Sequence, residues 1–134
     1  MREVIFEQNF PVHPVPLARP RLSGSYVYTP RECQNAKAMI GTLAKSKYKL
    51  PLQKGALAIE ARFVHKRPKR IKTDGRVPKD TIPDTDNLLK LLLDALEGII
   101  YKNDKQFCKF IVEDWFAAKD ENPHIYVKIS RVIV

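Results

Sequence analysis

Between Leu88 and Leu93 five of six residues are leucine, and the single interruption is Lys90. Asp86, Lys90 and Asp94 stand at i, i+4 and i+8, so on a helix they share one face and leave the remainder apolar. A helix apolar nearly all round has to be buried on several sides. The segment therefore demands something to pack against: either its own sheet alone, or that sheet and a second subunit. The spacing predicts a helix from about Asp86 to Glu97, with Gly98 as its C-cap.

The rest of the chain supplies strands and a second helix. Val4 to Phe6 read as a short strand, and "PVHPVPLARPRLSGSY" as an irregular loop, because proline removes backbone donors. "VYT" reads as a further short strand. Thr29-Pro30-Arg31-Glu32 reads as a helix start, with Thr29 as N-cap, Pro30 in the first helical position and Glu32 closing a capping box. Cys33, Ala36, Ile40, Leu43 and Ala44 then recur at helical spacing, until Pro51 and Gly55 end the segment. "ALAIEARFV" alternates as a strand does, with Leu57, Ile59, Ala61 and Phe63 on one face. "FCKFIVEDWF" and "HIYVKISRVIV" also alternate and read as an antiparallel hairpin across "AAKDENP". The order strand, helix, strand, helix, strand, strand predicts a mixed α/β (α+β) fold. It forms a single domain over residues 1–134, with a mixed or antiparallel sheet and two main helices. A chain of 134 residues is long enough for one real core.

Charge narrows the function. The net charge is +9, and residues 65–80, "HKRPKRIKTDGRVPKD", hold seven Lys/Arg against two Asp, a net of +5. Such clustering favours contact with phosphate over even solvation. The candidate DNA-binding residues are Lys66, Arg67, Lys69, Arg70, Lys72, Arg76 and Lys79, with Arg19 and Arg21 in the upstream proline-rich loop. No run of about 18 apolar residues suggests a membrane span, and charges in "MREVIFEQNF" break any signal-peptide core. Cys33 and Cys108 form no CxxC pair and read as reduced, packed thiols of a cytoplasmic protein. His13, His65 and His124 lack metal-ligand spacing. No GxxxxGK[ST] loop is present, which argues against a nucleotide-driven motor.

Against this basic background, Asp84 and Asp86 stand two apart at the mouth of the leucine-rich helix, and Asp104 follows 18 residues after Asp86. If that helix packs against the next strand, Asp104 returns to its N-terminal end. Three converging carboxylates suit a hard divalent cation, Mg²⁺ or Mn²⁺, that keeps waters for substrate. Each acid also has a purely structural use: Asp86 as N-cap, Asp84 at the positive end of the helix, Asp104 as a turn residue. Lys90 either bridges Asp86 and Asp94 or meets charge developing on a phosphate.

"PDTDNLLKLLLDALEGIIYKNDKQF" closely resembles the signature of RusA-type Holliday junction resolvases, a bacterial and phage family, in its D-x-D-N-L-x-K, L-D-A-L and D-x-Q-type elements. "VPLARPRLSGSYVYTP" is similar to that family's N-terminal Arg-Pro-Arg segment. The resemblance implies that Asp84, Asp86 and Asp104 are metal-binding catalytic aspartates and that Lys90 is the required lysine. Where the family commonly has two adjacent acids, Asn103 precedes Asp104, which leaves Asp104 as the essential one. The resemblance further implies Mg²⁺-dependent cutting of four-way DNA junctions by a homodimer. Junction specificity rests on it alone.

Two functions of different class fit these residues. One is a metal-dependent junction endonuclease acting in recombination or repair, with the basic loop 65–80 beside a catalytic segment 83–106. The other is a noncatalytic basic DNA-binding protein, architectural or regulatory. The second explains the charge but does not readily explain three acids beside the basic loop.

Overall fold

The computed structural model describes residues 2–17, 21–23, 26–28, 30–81 and 85–134. Among the described residues, seven strands and two helices follow in the order β1 (Arg2–Phe10), β2 (Arg21–Ser23), β3 (Tyr26–Tyr28), α1 (Arg31–Lys47), β4 (Leu57–His65), β5 (Val77–Pro78), α2 (Thr85–Leu96), β6 (Phe107–Phe116) and β7 (His124–Val132). Five strands form one mixed sheet in the order β1-β7-β4-β6-β5, and β2 and β3 pair separately as a small antiparallel ribbon. The result is an α+β domain with two helices against a five-stranded sheet.

β4 takes the centre because it has no fully wet face. Leu57, Ile59, Ala61 and Phe63 are buried on one side, and Ala58 and Val64 on the other. Such a strand needs a hydrogen-bonded neighbour on each edge. It pairs antiparallel with β7 and parallel with β6. The expected β6–β7 hairpin is therefore absent: β4 lies between the two strands. Closeness in sequence suggested the hairpin, but the seven residues 117–123 easily span one intervening strand, a gap of about 10 Å. The parallel β4–β6 pair is closed by α2, the crossover such a connection requires.

β1 extends well beyond Val4–Phe6. It pairs along β7 from Arg2↔Val132 to Phe10↔Ile125, with one irregularity between Val4 and Phe6. Glu3, Glu7 and Gln8 broke the apolar signal there, yet they lie on a strand whose partner fixes it by backbone bonds. α1 begins at Arg31 with Pro30 in the N-cap position and no side-chain cap. The expected Thr29 cap lies outside the described residues, and Pro30 is one place earlier than expected. α2 starts and stops one residue before the expected bounds, and Gly98 (φ +81°) takes the left-handed backbone that ends the helical path.

Both helices cover one face of the sheet. Leu88, Leu91, Leu92, Leu93 and Leu96 of α2 and Ile40 and Ala44 of α1 pack with Phe10, Ile59, Phe63, Ile125 and Val127. The leucines are thus consumed by the chain's own core, and none is left as a large exposed hydrophobic. The other face carries a polar lattice: Arg62 to Glu113 (3.4 Å), Lys128 to Glu60 (3.7 Å), and Arg62 over the Tyr126 ring. There the Tyr126 hydroxyl donates to Glu7, and its pKa is pushed up to about 12 by burial and by that bond. Cys33 is buried, its thiol donating to Pro16 O, whereas Cys108 is exposed on β6 rather than packed. Among the described residues, β5 covers the outer edge of β6 only at Trp115 and Phe116. No helix among the described residues is long and apolar enough to cross a membrane.

Candidate active site and nucleic-acid interface

α2 enters over the end of the sheet at which β4 and β6 finish. The Thr85 hydroxyl, in its first turn, donates to Asp114 Oδ2 of β6 (3.2 Å). Asp114 is inward-facing and almost fully buried, with its side chain 5% exposed. Its other oxygen lies 2.6 Å from His65 Nε2 at the end of β4, and Lys79 Nζ stands 3.8 Å from Oδ2. Lys79 also donates its backbone N–H to Asp114 O (3.0 Å) and its ammonium to Thr81 O (2.7 Å). The end of the basic loop and the start of α2 are in this way fixed to one carboxylate.

Asp86, the next residue after Thr85, is exposed in the first helical turn, and Lys90 is exposed one turn later on the same face. Asp94 completes the stripe but pairs with Lys37 of α1 (3.5 Å). Lys90 therefore does not bridge Asp86 and Asp94; among the described residues it makes no ion pair within 4 Å. Asp84 lies outside the described residues.

Asp104 is not where the sequence reading expected it. It opens a short 3-10 turn, Asp104–Gln106, and its backbone N–H donates to Glu97 Oε1 (3.1 Å), just past the C-terminus of α2. The 12 residues of α2 rise about 18 Å. A divalent ion holding oxygens at about 2.1 Å draws its ligand atoms within about 4 Å of one another. Asp86 and Asp104 of one chain thus stand at opposite ends of the helix, too far apart to share an ion. The cause is the parallel crossover, which returns the chain to the starting end of β6. Asn103 caps the 3-10 turn: its side chain accepts from Lys105 N, and Gln106 reciprocates. Nearby, burial and then the carboxylates of Glu97, Asp104 and Asp94 push the Tyr101 phenol far above its usual range, so it stays a donor to Leu93 O (2.6 Å).

The basic loop is a braced platform. Arg67 donates to Gly75 O and Ala117 O (2.9 Å each), and Lys119 N–H donates to Asp74 O (2.8 Å). Arg76 makes a bidentate pair with Glu121, its closest contact 2.6 Å, which raises the guanidinium pKa and lowers that of Glu121 to about 2. Two expected DNA contacts need correction. Lys79 is buried against Asp114, and Arg76 is half-buried and pairs with Glu121 through Nε and one Nη, with its other Nη outside that pair. Lys66, Lys69 and Lys72 are exposed, and Arg70 is exposed with its guanidinium over Phe116. Arg19, and the side chain of Arg21, lie outside the described residues.

The exposed Asp86 carboxylate offers the oxygen ligands that a hard divalent cation takes. Among the described residues no group of three His, Cys, Asp or Glu is placed to hold one. The model of the family Endodeoxyribonuclease RusA matches residues 11–130. The chain belongs to the RusA endodeoxyribonuclease family. The match spans α1, the braced loop, α2 and β6, so the acid-bearing helix and the cationic platform both fall within the RusA region. No curated protein matches the chain.

Sequence reasoning missed the buried group of Thr85, His65 and Asp114. A signal was present: the even positions of β6 are Cys108, Phe110, Val112, Asp114 and Phe116, an apolar set with one acid in it.

Proposed function

We propose that this RusA-family chain is a structure-selective endodeoxyribonuclease that resolves four-way DNA junctions by paired phosphodiester hydrolysis, as a Mg²⁺-dependent homodimer. The observation that supports this reading is the shared anchorage at Asp114, which ties the first turn of α2, next to the exposed Asp86, to Lys79 at the end of the basic loop. Lys66, Lys69, Arg70 and Lys72 hold the phosphate backbone and fix its register. Asp84 and Asp86 are the ligands at the start of α2. Lys90, with no partner among the described carboxylates, faces the negative charge that builds on the scissile phosphate. A bound divalent cation supplies activated water and neutralises that charge, and Mn²⁺ serves as a substitute for Mg²⁺.

Asp104 acts in this scheme across the dimer. Among the described residues, the outer edge of β6 has no strand partner from Phe107 to Glu113, and that stretch carries exposed Phe110 and Ile111. Such an edge is a template for another strand. Pairing two copies antiparallel about a twofold axis reverses one β6 against the other. The Asp104 end of one copy then lies beside the α2 N-terminus of its partner. This arrangement gives two equivalent composite sites for the two symmetric strands of a junction.

The test is a nicking assay on a fixed four-way junction and on duplex DNA, with Mg²⁺ or with EDTA. Junction cutting that requires the cation, and is lost in Asp86→Asn, supports the reading. Binding without metal-dependent nicking on any branched substrate overturns it in favour of a noncatalytic DNA-binding protein.

A further inference from the structure

We propose that Asp114, acting through Thr85 and Lys79, is the positioning residue that holds the start of α2, and with it the metal-binding Asp86, in place. The inference rests on the reading above, in that it takes Asp84 and Asp86 as ligands. Few polar or charged side chains are buried among the described residues, and two of them, His65 and Lys79, converge on Asp114. Buried charge is expensive, and a well-packed apolar cluster of the same volume gives as much stability or more. Fold stability alone therefore does not account for the array.

Its geometry points elsewhere. Asp114 Oδ2 receives the hydroxyl of Thr85, the residue between Asp84 and Asp86. Lys79, paired with the same oxygen and bonded by its backbone to Asp114 O, donates its ammonium to Thr81 O. Thr85 directly, and Thr81 through Lys79, are thus tied to one rigid point of the sheet. His65 occupies Oδ1 at 2.6 Å, which orients the carboxylate so that Oδ2 faces Thr85. Asp114 has both oxygens engaged inside the protein, so it orients ligands rather than serving as one. Groups that fix metal ligands from behind typically account for 10–100-fold in metal affinity or activity.

The test uses the full-length chain. Thr85→Val removes the hydroxyl at nearly constant volume, Thr85→Ser keeps it, and Asp114→Asn removes the charge. Two measurements are made: Mn²⁺ binding by electron paramagnetic resonance in the presence of junction DNA, and nicking against Mg²⁺ concentration. Thr85→Val, and Asp114→Asn if it folds, should weaken Mn²⁺ binding by about 10–100-fold and raise the Mg²⁺ needed for half-maximal nicking by a similar factor. Junction binding in EDTA should be unchanged, and Thr85→Ser should behave as the parent. If the parent binds Mn²⁺ and nicks, and Thr85→Val matches it in both, the positioning role is overturned while the nuclease reading stands. If the parent binds no Mn²⁺, both fall together. Equal losses in Thr85→Val and Thr85→Ser also overturn it, because the hydroxyl is then irrelevant.

Discussion

Asp86 and Asp114 are carboxylates separated by one threonine's hydrogen bond, and their surroundings give them opposite tasks. Asp86 is exposed and its side chain is free to take a ligand from solvent. Asp114 has both oxygens committed to buried donors. Replacing Asp86 with Asn removes a charged oxygen donor while keeping the shape. Losing several kcal/mol of transition-state stabilisation, about 4 kcal/mol, corresponds to a ~10³-fold slower cut. Junction binding should hold or tighten, because a negative charge near phosphate is gone; gel-shift and single-turnover assays report the two effects separately. Unchanged cleavage in this variant ends the metal-site assignment. A second residue-scale prediction concerns acid. The Arg76 guanidinium holds Glu121 at about 2 against an ordinary value of 4.5. A carboxylate with a depressed folded-state pKa contributes stability that is fully present above pH 4.5 and is lost as pH falls toward 2. Glu121→Gln should therefore lower the thermal midpoint at pH 7, and the gap from the parent should close over that window. A constant gap down to pH 2 would show that the pair does not set acid stability.

At the scale of elements, the basic loop shows what charge counting captures and what it misses. Seven cations in residues 65–80 raise the expectation of a phosphate-binding surface. Folding takes Lys79 into the interior and commits Arg76 to Glu121, because a braced loop needs ion pairs of its own. Exposed Lys69, Arg70 and Lys72 remain. Neutralising these three together should weaken binding to every DNA sequence and reduce the slope of log affinity against log salt by about 0.9 for each lost phosphate contact. Fluorescence anisotropy across a salt series measures this, and an unaltered slope moves the footprint off the loop. The leucine-rich helix was legible because a 3.6-residue period with a single polar stripe has one packing solution. The two-residue period of β4, β6 and β7 was equally plain. Their spatial order was not, because a period of two fixes faces and says nothing about neighbours. The position of Asp104 depended on that order. Once β6 runs parallel to β4, the start of β6 must lie at the far end of α2. Asp114 could have been found as the one acid on an apolar face. Its partners His65 and Lys79 come from segments that only the folded sheet brings together.

For the whole molecule, the separation of Asp86 from Asp104 becomes a statement about symmetry. A twofold dimer in which each site takes Asp86 from one copy and Asp104 from the other has a distinctive behaviour under subunit mixing. Asp86→Asn alone and Asp104→Asn alone should each be inactive, since every site then lacks one acid. In a mixed dimer the two lesions fall together in one composite site and leave the other intact. Equal mixing makes about half of the dimers mixed, so about a quarter of all sites recover. These dimers have one working site, so they should nick one strand of a junction without the paired cut that resolves it. If instead each chain supplied its own Asp104, mixing would leave both sites defective and restore nothing. A monomeric enzyme would likewise gain nothing, and light scattering separates that outcome from a site built within one chain of a dimer. Ile111→Lys supplies the matching structural control. It places charge on the exposed stretch of β6 whose outer edge has no strand partner among the described residues, where charged side chains oppose edge-to-edge pairing. It should dissociate the dimer and abolish cutting together, while the core beneath α2, to which Ile111 does not belong, keeps its thermal midpoint.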